Sequence, residues 1–332
     1  MTGFALLRIM ILAGDIGGTH TRIALYHNKQ LHGEREYQSR SHPNLEEIVA
    51  DFLRHEKTKV SAASFGIAGA VRNGVCKATN LAWNVDAARL RRELKLEKVH
   101  VINDLMANAY GLFVLEKKDL FELQPGDPEL MGNRALISAG TGLGEAGLYW
   151  DGKRHHPFAC EGGHADFAPR NEAEVELFFY LQKKYGHVSY ERVVSGPGLF
   201  SIYQFLIDSG REEASSEVEE EMKRGDPSVV IGLWGEKKRD PACKRALQWF
   251  ISLYGAEAGN WALKMLPFGG LFIGGGIAPH LVASFQEGEF LNSFRNKGRF
   301  DSLLDSIPIW IILNSHAALF GAGAYAERVD ES

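Results

Sequence analysis

Cysteine is scarce in this 332-residue chain, which has only Cys76, Cys160 and Cys243. They are odd in number, widely separated and form no CxxC pair. Neither a disulfide framework nor a cysteine zinc site is therefore encoded, and a reducing cytoplasmic compartment is expected. A basic excess is missing too: 37 Lys and Arg against 42 Asp and Glu leave a formal charge of −5. That removes the positive field with which proteins follow a nucleic-acid backbone, so no nucleic-acid partner is expected. No apolar run approaches the roughly 20 residues of a membrane span. The first run, residues 4–12, has no basic residues before it and is interrupted by Arg8, so it fits a signal peptide poorly. Two familiar nucleotide signatures are also lacking. There is no GxxxxGK[ST], and residues 140–144 read GxGxG without the third glycine of a dinucleotide fingerprint.

What is present is an ordinary globular composition, 45% apolar and 24% charged, in a chain long enough for two domains or one large one. Short apolar runs alternate with segments of helical period, the pattern of an α/β protein. Strands are expected at residues 9–13, 22–26, 62–68 and 99–102, and later at 135–138, 146–150, 271–273 and 309–313. Helices are expected after Asn44, where Leu45, Ile48, Val49, Phe52 and Leu53 recur at helical spacing, and after Asp86 over 87–94. Others are expected at 105–115, 173–185, beyond the Ser195-Gly196-Pro197-Gly198 break, at 241–266 and at 317–329. Asp151-Gly152 is a hairpin signal, and residues 211–224 read as a solvated acidic helix or loop. Strand, glycine-and-threonine turn, strand occurs twice, near residues 15 and 141. This suggests two similarly built halves.

Those turns carry the chemistry. Gly14-Asp15-Ile16-Gly17-Gly18-Thr19 sets three glycines, an acid and a hydroxyl between two strands. Bare backbone can approach a phosphate closely and wrap it in N–H groups, Thr19 adds a donor, and Asp15 can hold Mg²⁺. The plain alternative is a tight hairpin whose glycines supply positive φ. Gly140-Thr141-Gly142-Leu143-Gly144 repeats the recipe with the same alternative, and Gly274-Gly275-Gly276 closes a third strand. Asp104, between a strand and a helix, could hold its carboxylate in a cleft or could simply be the helix N-cap, and spacing alone favours the cap at least as much. Glu161-Gly162-Gly163-His164 presents an acid and an imidazole on a bare turn. It is a poor zinc site, since Cys160 and His164 lack partners at ligand spacing. Trp83 reads as core or as lining a cleft, and His156 and His187 as structural.

Asp15-Ile16-Gly17-Gly18-Thr19 resembles the first phosphate loop of the actin-like ATPase fold shared by hexokinases, sugar kinases, actin and related chaperones. Further motifs narrow the resemblance to the bacterial glucokinase family. These are Ile102-Asn103-Asp104, residues 139–144, Gly162-Gly163-His164-Ala165-Asp166-Phe167-Ala168-Pro169, Gly186-His187-Val188-Ser189 with Glu191-Arg192-Val193, Ser195-Gly196-Pro197-Gly198, and residues 268–277. They lie in family order across residues 10–328. His20 stands where the family usually has Asn, and Ala70 where Pro is common. The cysteine-rich zinc motif of the related repressor-and-kinase group is missing, which points to the zinc-free branch.

The resemblance implies two actin-like (ribonuclease H-like) α/β lobes around a central cleft, residues 1–114 with 314–332 forming the smaller and 115–313 the larger. It implies ATP and Mg²⁺ as cofactors and glucose as substrate. Asp104 would be the catalytic base, and Asn103, Asp104, Glu161, His164 and Glu191 would contact the sugar. Asp15, Gly17, Gly18, Thr19, Thr141, Gly142, Gly275 and Gly276 would lie along the nucleotide, with Asp15 as the metal residue. A kinase for another hexose or amino sugar, and a non-catalytic sugar sensor, remain as alternatives. The oligomeric state is open, a homodimer among the options.

Overall fold

The computed structural model describes residues 10–78 and 81–330. Ile9, the expected start of the first strand, and the Thr79-Asn80 pair lie outside them. The chain divides into two compact units, one running to Asp119 and resuming at Asn314, the other Leu120–Leu313.

In the first unit, β1 (Met10–Ile16) turns into β2 (His20–His27), and β2 into β3 (Gln30–Gln38). There follow α1 (Leu45–Glu56), β4 (Val60–Ile67), the short β5 (Val71–Arg72), β6 (Val75–Lys77) and β7 (Asn84–Asp86), α2 (Ala87–Leu94), β8 (Lys98–Asn103) and α3 (Asp104–Gly111). The main sheet has the order β3-β2-β1-β4-β8. β1, β4 and β8 run parallel, with Ile16 beside Ile67 and Ile67 beside Asn103, so all three end on one line. Side chains alternate across β1, as the pleat requires. Leu12 and Ile16 pack with Leu45, Ile48, Val49 and Phe52 of α1. Ile11 and Ala13 pack on the other face with Leu319, Ala322 and Ala326 of the C-terminal helix, Ala317–Asp330. The expected caps form: Asn44 Oδ1 accepts from Glu47 N at 2.9 Å and Asp86 Oδ1 from Ala88 N at 2.7 Å. Trp83 is core, 4% exposed, with its indole N–H donated to His42 O.

The helix expected over 105–115 is shorter. It stops at Gly111, after which Phe113 N and Val114 N bond to Tyr110 O and Gly111 O in tight turns. Gly111 lies against the Ala317 backbone, and Gly321 lies against the Ala107 carbonyl, so neither position has room for a Cβ. Two helices thus meet backbone to backbone.

The second unit contains β9 (Leu120–Gln124), β10 (Arg134–Ala139), β11 (Leu143–Trp150), β12 (His155–Cys160), α4 (Glu172–Tyr185), α5 (Gly196–Asp208), α6 (Ser216–Arg224), α7 (Pro227–Glu236) and α8 (Pro241–Met265). It continues through β13 (Leu271–Gly274), α9 (Val282–Gln286), α10 (Glu289–Arg295), α11 (Asp301–Asp305) and β14 (Ile309–Ile312). Its sheet has the order β12-β11-β10-β13-β14-β9. An antiparallel meander followed by two parallel strands is the plan of the first unit's sheet, with β9 added antiparallel at the edge. The repeat suggested by the two turns is therefore a repeat of topology. Asp151-Gly152 do turn the chain, but in a four-residue loop closed by Asp151 N donating to Arg154 O at 3.2 Å. The Ser195-Gly196-Pro197-Gly198 break is the start of α5 itself: Ser195 Oγ accepts from Gly198 N at 3.0 Å, and Pro occupies the first turn, where its missing N–H costs nothing. No described helix is long and apolar enough to cross a membrane.

Gly321→Ala is expected to lower stability by roughly 1–3 kcal/mol, the usual effect of forcing atoms into a closed contact, despite alanine's better helix propensity. Urea denaturation checks it; an unchanged or raised midpoint would mean that the helices have slack.

Candidate active site

In the first unit the functional candidates collect at the carboxyl edge of the sheet. The turn after β1 is closed by Gly17 N donating to His20 O at 2.9 Å. Ser39 braces it from outside: its Oγ donates to Gly17 O at 2.8 Å, its N donates to Thr19 O at 2.8 Å, and it shares a hydroxyl bond with Thr21 at 2.9 Å. The turn is a tight β1–β2 hairpin, but none of Gly14, Gly17 and Gly18 has positive φ, so these glycines are not there to supply it. Gly17 is needed because a Cβ would stand 2.9 Å from His20 O. His20 leans away along the sheet edge, its Nε2 2.9 Å from Gln38 Nε2.

Asp15 is half-buried one residue from the end of β1, opposite Arg22 in register. Burial pushes its carboxyl up to about 6, against the opposing charges of Arg22 and His316. Arg22 is itself held by Glu36 Oε2 at 2.8 Å and Ser315 O at 3.2 Å. No cluster of three or more His, Cys, Asp or Glu able to hold a metal exists among the described residues. A single desolvated carboxylate beside a bare turn suits Mg²⁺ carried on phosphate oxygens, which normally keeps its waters and takes one or two carboxylates.

Asn103 ends β8 and caps α3. Its Oδ1 accepts from Leu105 N at 2.9 Å and Met106 N at 3.2 Å, and its Nδ2 donates to Gly69 O at 3.1 Å. The cap is therefore Asn103 and not Asp104, because β8 continues through residue 103 before the helix starts. Asp104 becomes the first helical residue, half-buried, with Oδ1 accepting from Leu105 N at 3.0 Å.

In the second unit the corresponding edge holds Thr141, Gly142, Glu161, His164, Glu191, Gly275 and Gly276. Gly140 N donates to Gly142 O at 2.9 Å, and Gly196 N to Gly140 O at 2.8 Å, which joins the turn to the start of α5. Glu191 Oε2 accepts from Leu143 N at 3.0 Å, and a Cβ on Gly142 would lie 2.5 Å from that same oxygen. The sequence offers Glu191 as a sugar contact; it is also what fixes the Thr141 turn. Gly275 does require glycine for its φ of +85°, and it lies directly on the Ala139 carbonyl, whereas Gly276 stands in open space. Glu161 and His164 flank a single turn closed by His164 N to Glu161 O at 3.1 Å, with both side chains exposed. Tyr190 N donates to Ala165 O at 3.0 Å, so this turn and the one bearing Glu191 are adjacent. His156 and His187 bond instead to carboxylates of neighbouring loops, Asp151 at 2.6 Å and Asp166 at 2.8 Å.

Sequence reasoning missed Ser39, which no local pattern marks, and two buried acids, Glu145 and Glu257. An acid between Gly144 and Ala146 in an apolar strand was the available signal for Glu145.

A twice-repeated meander with parallel strands, each copy carrying a bare turn at its first hairpin, is the plan of the actin-like ATPase fold, and solved structures agree. The crystal structure of glucokinase from an Antarctic psychrotroph is similar with a TM-score of 0.83 and 27% identity, over 96% of this chain and 99% of that one. A ROK family glucokinase from Streptomyces griseus, solved in complex with glucose and AMPPNP, matches with a TM-score of 0.66 and 19% identity over 96% and 99% of the two chains, a likeness of fold alone. Among sequences, the glucokinase of Nostoc punctiforme is 43% identical over 96% of this chain and 99% of that protein. The family model described as Glucokinase matches residues 12–329. The chain belongs to the glucokinase family.

Because Asn103 carries the cap, Asn103→Ala is expected to lower stability by about 1 kcal/mol, while Asn103→Asp keeps most of it. Equal urea midpoints for Asn103→Ala and the parent protein would remove the cap from the account.

Proposed function

We propose that this protein transfers the γ-phosphoryl group of ATP to the 6-hydroxyl of glucose, giving glucose 6-phosphate and ADP, in the cytoplasm. Family membership supports the reaction. The observation that carries the mechanism is the start of α3, where Asn103 is the N-cap and Asp104 the half-buried first helical residue at the carboxyl end of β8. Phosphoryl transfer asks a protein for positioning, charge stabilisation and a base rather than covalent chemistry. Asp104 takes the proton of the 6-hydroxyl as that oxygen attacks phosphorus in line. Glu161, His164 and Glu191 bond the sugar hydroxyls, and Asn103 contributes its second amide N–H. The Gly17-Gly18-Thr19 and Thr141-Gly142 turns offer backbone N–H and hydroxyl donors to the phosphates, and Gly275 and Gly276 lie along the adenosine. Asp15 would hold Mg²⁺, which supplies neutralising charge on the phosphate oxygens.

Sugar-dependent release of ADP across a panel of hexoses and amino sugars tests this reading. Turnover is expected to be greatest with glucose; binding without turnover would mark a sensor, and preference for another sugar would reassign the substrate. Asp104→Asn is expected to bind glucose but to lower kcat roughly 10²-fold or more, the scale of general-base catalysis. Near-normal turnover would take Asp104 out of the mechanism. Glu161→Ala and His164→Ala are expected to raise KM for glucose far more than KM for ATP, because each leaves hydroxyls unpaired. Parallel rises in both constants would make that turn a structural element only.

A further inference from the structure

Two acids that the mechanism does not use lie beneath the turn bearing Glu161 and His164. Glu145 of β11 and Glu257 of α8 are both 0% exposed. The Glu145 carboxyl occupies the space where a Cβ on Gly162 would go, so the backbone of the turn rests on it. Both Glu145 oxygens and Glu257 Oε1 lack an N–H or hydroxyl donor among the described residues. Glu257 Oε2 accepts from Asn260 Nδ2 at 2.8 Å. The same amide donates to the Tyr190 hydroxyl at 2.9 Å, and Asn260 Oδ1 accepts from Lys297 Nζ at 2.7 Å. The two carboxyl groups are within reach of each other and bond directly when one is protonated. Two ionised carboxylates side by side and fully buried would each lose solvation and repel the other, with few protein donors to compensate.

We propose that Glu145 and Glu257 share one proton and act as a positioning pair for the sugar site, Glu145 supporting Glu161 and His164 through Gly162, and Glu257 supporting Glu191 through Asn260 and Tyr190. This rests on the reading of those three residues as sugar contacts. Sharing one proton, the pair carries a single negative charge. Burial, then the Glu257 charge, pushes Glu145 up to about 8, and burial raises Glu257 as well. The other titratable groups facing them are Lys264 and Tyr254 on α8, Cys160 and Glu161 at the end of β12, Tyr190, and Lys297 with Arg170 and Glu174 beyond it. The two lysines offset only part of the shift. When the shared proton leaves, two carboxylates are set against each other beneath Gly162, and the turn above them is displaced. Linkage gives the sign for stability: the folded protein keeps a proton that the unfolded chain releases near 4.5. The contribution is therefore full below that pH and is lost as pH rises to about 8.

The test compares Glu145→Gln, which keeps shape and can donate its amide to Glu257, with Glu145→Ala. In the parent enzyme KM for glucose is expected to climb above pH 8 while KM for ATP does not, and Glu145→Gln is expected to abolish the climb with near-parent constants at pH 7. Glu145→Ala is expected to raise KM for glucose at pH 7 roughly fivefold or more, the smallest effect of an unpaired buried polar group. Its KM for ATP stays put. Infrared spectra are expected to show a protonated-carboxyl band at pH 7 that fades through the same alkaline range and is missing from Glu145→Gln. An unaltered climb in Glu145→Gln, a parallel rise of both constants in Glu145→Ala, or no such band in the parent would each overturn the proposal. If the parent failed to phosphorylate glucose, the functional reading would fall separately. Glucose affinity by calorimetry over the same pH range would then replace KM, and the band would still decide whether the proton is shared.

Discussion

Glu191 Oε2 can accept the Leu143 amide at 3.0 Å only because residue 142 has no side chain; a Cβ there would come within 2.5 Å of the same oxygen. An acid brought in from solvent needs N–H donors to offset its lost hydration, and bare backbone is the closest source of them. This constraint organises the second unit. It ties the turn after β10 to the segment before α5, and that segment is bonded in turn to the turn after β12 through Tyr190 N and Ala165 O at 3.0 Å. Gly162 likewise leaves room for the Glu145 carboxyl, but there no backbone N–H is donated to it. The glycines of these motifs therefore make room for the chain's own carboxylates. That is why a substitution at Gly142 would disturb Glu191 and the Thr141 turn at once.

Much of this fold is legible in sequence where burial is two-sided or a cap is unambiguous. β1, β4, β10 and β13 are short apolar runs because both faces are covered, and Asn44 and Asp86 each cap a helix with no competing neighbour. Edge strands are not legible that way. β3 alternates partly exposed polar residues with no apolar run. β9 is pinned through a side chain: Gln124 is 3% exposed and donates to the carbonyls of Leu304 and Ile307 at 2.9 and 2.7 Å. Such a tie across 180 residues leaves no local pattern.

The site divides similarly. Residue types and spacing select the right turns and acids, but they do not say what each glycine is for. Gly17, Gly142 and Gly275 are required for three different reasons: a close carbonyl, a close carboxylate, and a positive φ over a backbone carbonyl. Asn103-Asp104 is ambiguous for a related reason. Both residues are good caps, and the choice between them depends on how far β8 stays paired with β4, a property of the sheet rather than of the dipeptide.

That choice fixes the catalytic candidate only if α3 itself is fixed, and an eight-residue helix is marginal on its own. Its N-terminus is set by the cap and by the register that puts Asn103 beside Ile67. Its C-terminus is set by Gly111 against the Ala317 backbone, and its middle by Gly321 against the Ala107 carbonyl. Contacts between backbones have no rotamers to adjust, so they define position more sharply than side-chain packing does. The last helix of the chain therefore returns to the first unit with a specific task. By holding α3 from behind, it sets where the carboxylate of Asp104 stands, more than 200 residues earlier in the sequence.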